Sequence, residues 1–234
     1  MSHQWVTYLF LLLFSSCRNN TKREFISGLD SASFSKYWTI EAVDSLNNQI
    51  KHFGDTLEIR APGGFTLWRN EKLSGDIEIS YKACVMEEGI VGDRLSDLNC
   101  FWMATDPLFP NDIFERSKWR NGIFERYYSL KMYYLGYGGN NNTTTRFRKY
   151  SGDFDAFEKQ NLKPAIITEF IDEQHLLKPN HWYDIKIECK KGNVKYFIDG
   201  NLLIDFNDDS PYTSGWFGFR TTQSRIRLTQ FKVI

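Results

Sequence analysis

From residue 55 onward the chain alternates apolar and polar positions with a period of two, in short runs broken by turn residues. The runs are 55–60, 65–69, 76–86, 98–104, 129–137, 143–148 and 165–171, followed by 182–189, 194–198, 202–206, 215–221 and 225–233. Alternation of this kind puts every second side chain on one face and marks half-buried strands rather than helices. Gly192-Asn193, Asp199-Gly200 and Ser210-Pro211 separate the last runs. Asp199-Gly200 is the sharpest turn signal, because a two-residue type I′ turn needs positive φ at both positions and this pair tolerates it. Many short strands and no long amphipathic helix predict an all-β fold, a two-sheet jelly-roll sandwich. No linker, repeat or low-complexity tract divides the chain after residue 24, so residues 25–234 are expected to form a single domain.

The amino-terminal stretch reads differently. Residues 8–14, Tyr-Leu-Phe-Leu-Leu-Leu-Phe, are too few to span a bilayer and end in Ser15-Ser16-Cys17 before a polar, basic segment. This resembles the signal peptide and lipobox of bacterial lipoproteins, which implies cleavage before Cys17 and lipidation of that thiol. Residues 1–17 are then the signal peptide and 18–24 a short tether. The usual positive charge before the apolar run is missing, since residues 1–17 hold no Lys or Arg. The expected location is the bacterial cell envelope, with membrane contact through the lipid alone. Basic rather than acidic residues after Cys17 favour the periplasmic face of the outer membrane over the cell surface. Cys84, Cys100 and Cys189 remain, each inside an apolar run, and are expected to be buried reduced thiols.

Charge narrows the list of partners. With 29 basic against 29 acidic residues, the chain has no polybasic arm and no nucleic-acid partner is expected. Aromatic residues make up 16% of the sequence, more than a core alone demands, and aromatic rings also pack on flat ligands.

Several segments carry a family likeness: Gly64-Phe65-Thr66-Leu67-Trp68, Ser74-Gly75-Asp76-Ile77-Glu78-Ile79, Trp182-Tyr183-Asp184-Ile185, Tyr196-Phe197-Ile198-Asp199-Gly200 and Gly215-Trp216-Phe217-Gly218-Phe219-Arg220-Thr221. With the middle segments 97–107 and 133–148, they resemble the concanavalin A-like lectin/glucanase superfamily, and within it an uncharacterised bacterial branch that includes the YesU-like proteins. The likeness covers nearly all of residues 25–234. It implies a sandwich with a concave, sugar-sized groove and a role in the use of pectin- or rhamnogalacturonan-like glycans, without an assigned mechanism.

Residues 136–146, rich in Gly and Asn between two strands, have the composition of a binding loop. Glycine permits close backbone approach, Asn amides donate to and accept from sugar hydroxyls, and aromatic faces pack on pyranose rings. Asn99, Asn140, Asn142, Trp68 and Trp102 are therefore candidate sugar contacts. Arg146, Arg148 and Arg220 are candidates for gripping a uronate carboxylate, which arginine does bidentately. A lyase needs a base for the proton α to that carboxylate and a neutralising group for its charge. Tyr133 or Tyr137, with a phenol pKa lowered by nearby arginine, could act as base and acid, and Asn99 and Arg146 as the neutralising groups.

The paired-carboxylate strand motif of superfamily hydrolases is absent, as are G-x-S-x-G, H-E-x-x-H and P-loop patterns. No metal site is expected, although Asp205 to Ser210 could offer oxygens to calcium. The sequence thus points to a lipoprotein acting on an acidic oligo- or polysaccharide, with β-elimination preferred to hydrolysis and non-catalytic sugar binding as the alternative.

Overall fold

The computed structural model describes residues 25–43, 47–90, 93–160 and 163–234. The expected signal peptide and tether, with Cys17, lie outside the described residues. Among the described residues the strands are β1 (Trp38–Ala42), β2 (Gln49–Phe53), β3 (Thr56–Arg69), β4 (Leu73–Ser74), β5 (Ile77–Val85), β6 (Leu98–Thr105), β7 (Lys131–Gly138), β8 (Thr144–Ser151), β9 (Ile166–Phe170), β10 (Tyr183–Lys190), β11 (Asn193–Ile198), β12 (Asn201–Asn207) and β13 (Ser214–Val233). Two predicted pairs of runs, 55–60 with 65–69 and 215–221 with 225–233, are each one long strand, β3 and β13.

Those two strands explain how one hydrogen-bonded sheet becomes a sandwich. The carboxyl-terminal part of β3 pairs with β1, and its first part pairs with β2. The first part of β13 pairs with β6, and its later part pairs with β5. Between the two parts the β3–β13 register slips after Thr222↔Gly64, at Gln223, whose φ of 50° lies in the left-handed region. Such an irregularity bends and twists a strand pair. The front layer is therefore β1, β3, β13, β6, β7, β8, β9, and the back layer is β2, β3, β13, β5, β10, β11, β12.

Period-two alternation fills the space between the layers. Leu67, Phe219, Cys100, Leu135 and Phe147 from the front meet Ile59, Leu228, Ala83, Ile187 and Tyr196 from the back in one buried cluster. Fully burying a large apolar side chain stabilises by about 1.5–3 kcal/mol, so this cluster is the main source of fold energy. The Asp199-Gly200 turn joins β11 to β12 as the sequence predicted, with φ of 50° and 78°.

A second apolar cluster lies on the outer side of the front layer, where Trp68, Phe101, Met132 and Trp216 are covered by Ile113, Tyr127 and Leu130. The cover is a chain of short helical turns, Ile113–Arg116, Ser117–Arg120 and Phe124–Ser129. A buried ionic network pins it to the sheet. Arg120, fully enclosed, donates to Glu41 at 2.6 Å and to the Ile113 carbonyl at 2.5 Å, while Tyr127 donates to Glu41 at 2.5 Å. Arg116 clasps Asp106 at 2.7 and 3.1 Å, and Asp106 lies 3.5 Å from Arg120. Beyond this cover the outer face is open.

Candidate functional site

The strand registers align one polar row across the whole front layer, beginning under the cover at Glu41 and Thr66 and running out onto the open face. Glu41 pairs with Thr66, Thr66 with Arg220, Arg220 with Asn99, Asn99 with Gly136, Gly136 with Arg146, and Arg146 with Glu169. The next row outward holds Trp68, Gly218, Phe101, Tyr134 and Arg148. The middle of these rows, Arg220, Asn99, Gly136 and Arg146 with Tyr134 and Arg148, floors a cavity of about 700 Å³, a volume typical of small-ligand sites. Phe124, Tyr128, Tyr150 and Phe154 stand around it, and Arg94, Asp97, Asn140 and Thr144 close one end.

Gly136 is the low point of the floor. A Cβ there would come within 2.4 Å of the Tyr134 hydroxyl, so only glycine lets that ring lie down across the strand. Asn99 is nearly buried; its amide nitrogen donates to Asp97 at 3.2 Å, and its carbonyl oxygen has no partner. A buried acceptor left unpaired costs about 1–3 kcal/mol, which a ligand hydroxyl would recover.

The charges divide into paired and unpaired. Arg146 donates to Glu169, and Arg94 donates to Asp97, to the Asn141 side chain at 2.7 Å and to the Thr222 carbonyl at 2.7 Å. Arg220 is buried, donates to Thr66 and to the Gly122 carbonyl at 3.0 Å each, and lies over the Phe124 and Tyr127 rings at 4.9 Å. Arg148 donates to the Pro164 carbonyl. Among the described residues no carboxylate pairs with Arg220 or Arg148. Two arginines of a partly water-excluding cavity thus present uncompensated charge, which favours an anionic ligand.

The Gly/Asn loop is a left-handed turn. Asn140, Asn141 and Asn142 all have φ between 53° and 58°, a region asparagine tolerates better than other non-glycine residues. Each serves a different neighbour. Asn140 faces the cavity, Asn141 receives Arg94, and Asn142 clasps both backbone groups of Leu177 at 2.8 and 2.9 Å.

Of the residues singled out from sequence, Asn99, Asn140, Arg146, Arg148 and Arg220 meet in this cavity. Asn142 turns to Leu177 instead. Tyr133 and Tyr137 project from the opposite face of β7, into the space between the layers. Tyr133 donates to Asp208 at 2.5 Å, and Tyr137 to the Leu176 carbonyl at 3.2 Å. Burial, together with Asp208 beside Tyr133 and Tyr183 beside Tyr137, pushes both phenols up, opposite to the lowering expected from arginine. Trp102 is core, stacked on Phe147 at 5.9 Å, and Trp68 is enclosed against Phe101 and Tyr127. Trp182, just before β10, is 39% exposed.

Around Asp205 to Ser210 the oxygens do not converge. Asp208 takes Lys149 at 2.7 Å and Tyr133, while Asp205 turns to Asn193 at 2.7 Å. No cluster of three His, Cys, Asp or Glu able to hold a metal occurs among the described residues.

Tyr134 is the main contributor that sequence reasoning passed over. Adjacent Tyr133 and Tyr134 necessarily face opposite ways, and the pairing of Tyr134 with Arg148 decides which one reaches the cavity. Burial pushes the Tyr134 phenol up as well, so it is a neutral hydrogen-bonding group, not a ready base. The remaining carboxylates of the cavity, Glu125 and Glu158, are exposed on its rim.

A bent two-layer sandwich with a cavity on one face defines the galectin-like and concanavalin A-like class of lectin folds, and solved structures agree. A Bacillus subtilis protein of unknown function with a galectin-like fold matches with a TM-score of 0.69 and 21% identity, over 88% of this chain and 92% of that one. The carbohydrate-binding module CBM66 from Bacillus subtilis matches with a TM-score of 0.54 and 15% identity, over 84% and 94%. The exoplasmic/lumenal domain of VIP36, in a form bound to calcium and Man3GlcNAc, matches with a TM-score of 0.56 and 11% identity, over 88% and 86%. At these identities the likeness is one of fold. Residues 59–231 match the family model described as domain of unknown function DUF6250, and the chain belongs to that family. No curated protein matches it.

Proposed function

We propose that the protein is a carbohydrate-binding module for acidic saccharides, such as uronate-containing oligosaccharides, held at the bacterial cell envelope through a lipid on Cys17. The observation that carries this reading is the pair of arginines, Arg148 and Arg220, that line an aromatic-walled cavity without carboxylate partners. Asn99 and Tyr134 add neutral hydrogen-bonding groups suited to hydroxyls. Sugar-binding proteins among the fold neighbours are consistent with it.

Binding is preferred to cleavage because, among the described residues, the cavity holds no group prepared as a base. Its phenols are pushed up by burial, Asp97 is engaged by Arg94, and Glu125 and Glu158 stand in solvent. General-base catalysis needs a group whose pKa lies near the working pH, within reach of the proton it removes.

The test is calorimetric titration with uronate oligosaccharides and their carboxyl-reduced counterparts, while absorbance of a 4,5-unsaturated uronate product is followed. The acidic ligands should bind at least about tenfold more tightly than the reduced ones, as expected for charge-assisted hydrogen bonds, with no absorbance rise. A growing chromophore would replace this reading with β-elimination. Equal affinity for both forms would remove the preference for acid.

A further inference from the structure

We propose that the cavity reads two acidic groups held apart by a neutral sugar, so that its ligand class is an oligosaccharide with acids on alternate residues rather than an unbroken polyuronate. This rests on the acidic-saccharide reading and adds a spacing to it.

The spacing follows from the register. Arg220 sits on β13 and Arg148 on β8, with β6 and β7 between them. Neighbouring strands lie about 4.7–4.9 Å apart, so three steps put the two backbone positions about 14 Å apart. Their side chains lean away from each other. Arg220 reaches back to Thr66 on β3 and to Gly122, and Arg148 reaches out to the Pro164 carbonyl before β9. The cationic ends therefore do not converge, and their separation exceeds one glycosidic repeat.

The ground between the poles is uncharged. It consists of Asn99, Gly136 and Tyr134, and the one buried atom there without a partner is the Asn99 carbonyl oxygen, an acceptor. An acceptor suits a sugar hydroxyl and opposes a carboxylate, whose negative charge would face that oxygen with only the neutral Tyr134 hydroxyl nearby and no cation to repay its lost water. The nearest other cations cannot fill the role. Arg146, level with Gly136, is already paired with Glu169, and Arg94 is held by Asp97. Lys163 lies on the rim beside the Arg148 pole, and Glu125 and Glu158 on the rim further disfavour a dense anionic chain.

The experiment uses the full chain purified in detergent and three oligosaccharides of equal length: one alternating uronate and neutral residues, one composed of uronates throughout, and one with a single terminal uronate. The alternating ligand should bind about tenfold more tightly than either of the others. Arg148→Ala should erase the alternating ligand's advantage over the single-acid ligand. Arg220→Gln should act in the same way from the other pole. Because Arg220 is buried, Arg148→Ala carries the test if Arg220→Gln does not fold. The spacing is overturned if acidic ligands bind in preference to carboxyl-reduced ones but the unbroken polyuronate binds as well as the alternating chain. It is also overturned if Arg148→Ala weakens all three ligands equally. If acidic and reduced ligands bind equally or not at all, the parent reading falls and the spacing with it.

Discussion

Replacing Arg120 with Met tests whether the buried ionic network holds the cover over the front layer. Both Arg120 and Glu41 have fully enclosed side chains, and Arg120 donates to Glu41 through two nitrogens, at 2.6 and 3.2 Å. Methionine leaves the Glu41 carboxylate buried with Tyr127 as its remaining donor among the described residues, at 2.5 Å, and leaves the Ile113 carbonyl without the guanidinium. Asp106 is protected, since Arg116 still grips both its oxygens. Removing one partner of a buried pair costs about 3–5 kcal/mol, and the apolar stem of Met recovers part of the packing. For a domain of this size each kcal/mol lowers Tm by about 2–4 °C, so Tm should fall by roughly 6–20 °C. Urea unfolding followed by tryptophan fluorescence gives the free energy directly, provided the slope with denaturant is unchanged. Adding Glu41→Gln to Arg120→Met should recover a good part of the loss, because the charge that lost its partner is gone. A loss under about 1 kcal/mol for Arg120→Met, or further destabilisation on adding Glu41→Gln, would refute the argument.

Three other outcomes are expected. Gly136→Ala should drive the Tyr134 ring up into the cavity, because the added methyl would meet its hydroxyl at 2.4 Å; stability should fall by about 1–3 kcal/mol and saccharide affinity should fall with it, both read by titration and urea unfolding. Native protein should resist thiol alkylation at pH 8, because burial pushes Cys84 up to about 11 and Cys100 and Cys189 up to about 12, whereas all three should label in denaturant; rapid native labelling of Cys100 would contradict its enclosure. Although burial raises it, the Asp208 carboxyl is held below its ordinary value by Lys149 and Tyr133. Its stabilisation is therefore full above the ordinary carboxylate range and lost as pH falls through the lowered value, and Asp208→Asn should flatten the acid limb of a stability–pH curve.

Strand positions were readable from sequence because alternation reports burial one residue at a time. The period that located β7 could not say which of its faces looks outward. That choice depends on β7 meeting β6 and β8 in one register, a long-range fact that set Tyr134 and Gly136 outward and Tyr133 and Tyr137 inward. Arginine was a better guide than tyrosine. All three arginine candidates, Arg146, Arg148 and Arg220, line the cavity, whereas neither Tyr133 nor Tyr137 does. The covering segment 113–129 escaped notice because its short turns carry neither strand nor helix periodicity over enough residues to register.

The passage of β3 and β13 through both layers bears on how the protein is made. Their pairing joins Leu57 to Leu228 and Trp68 to Gly218, partners far apart in the order of synthesis. Contacts between such distant residues slow folding, because a long loop must close before they reward the chain. A nascent chain carries β3 without its neighbour until residues 214–233 have emerged, so neither layer can be completed early. Until then β3 exposes the hydrogen-bonding edge that β13 will take, and its protection falls to whatever holds the unfolded chain.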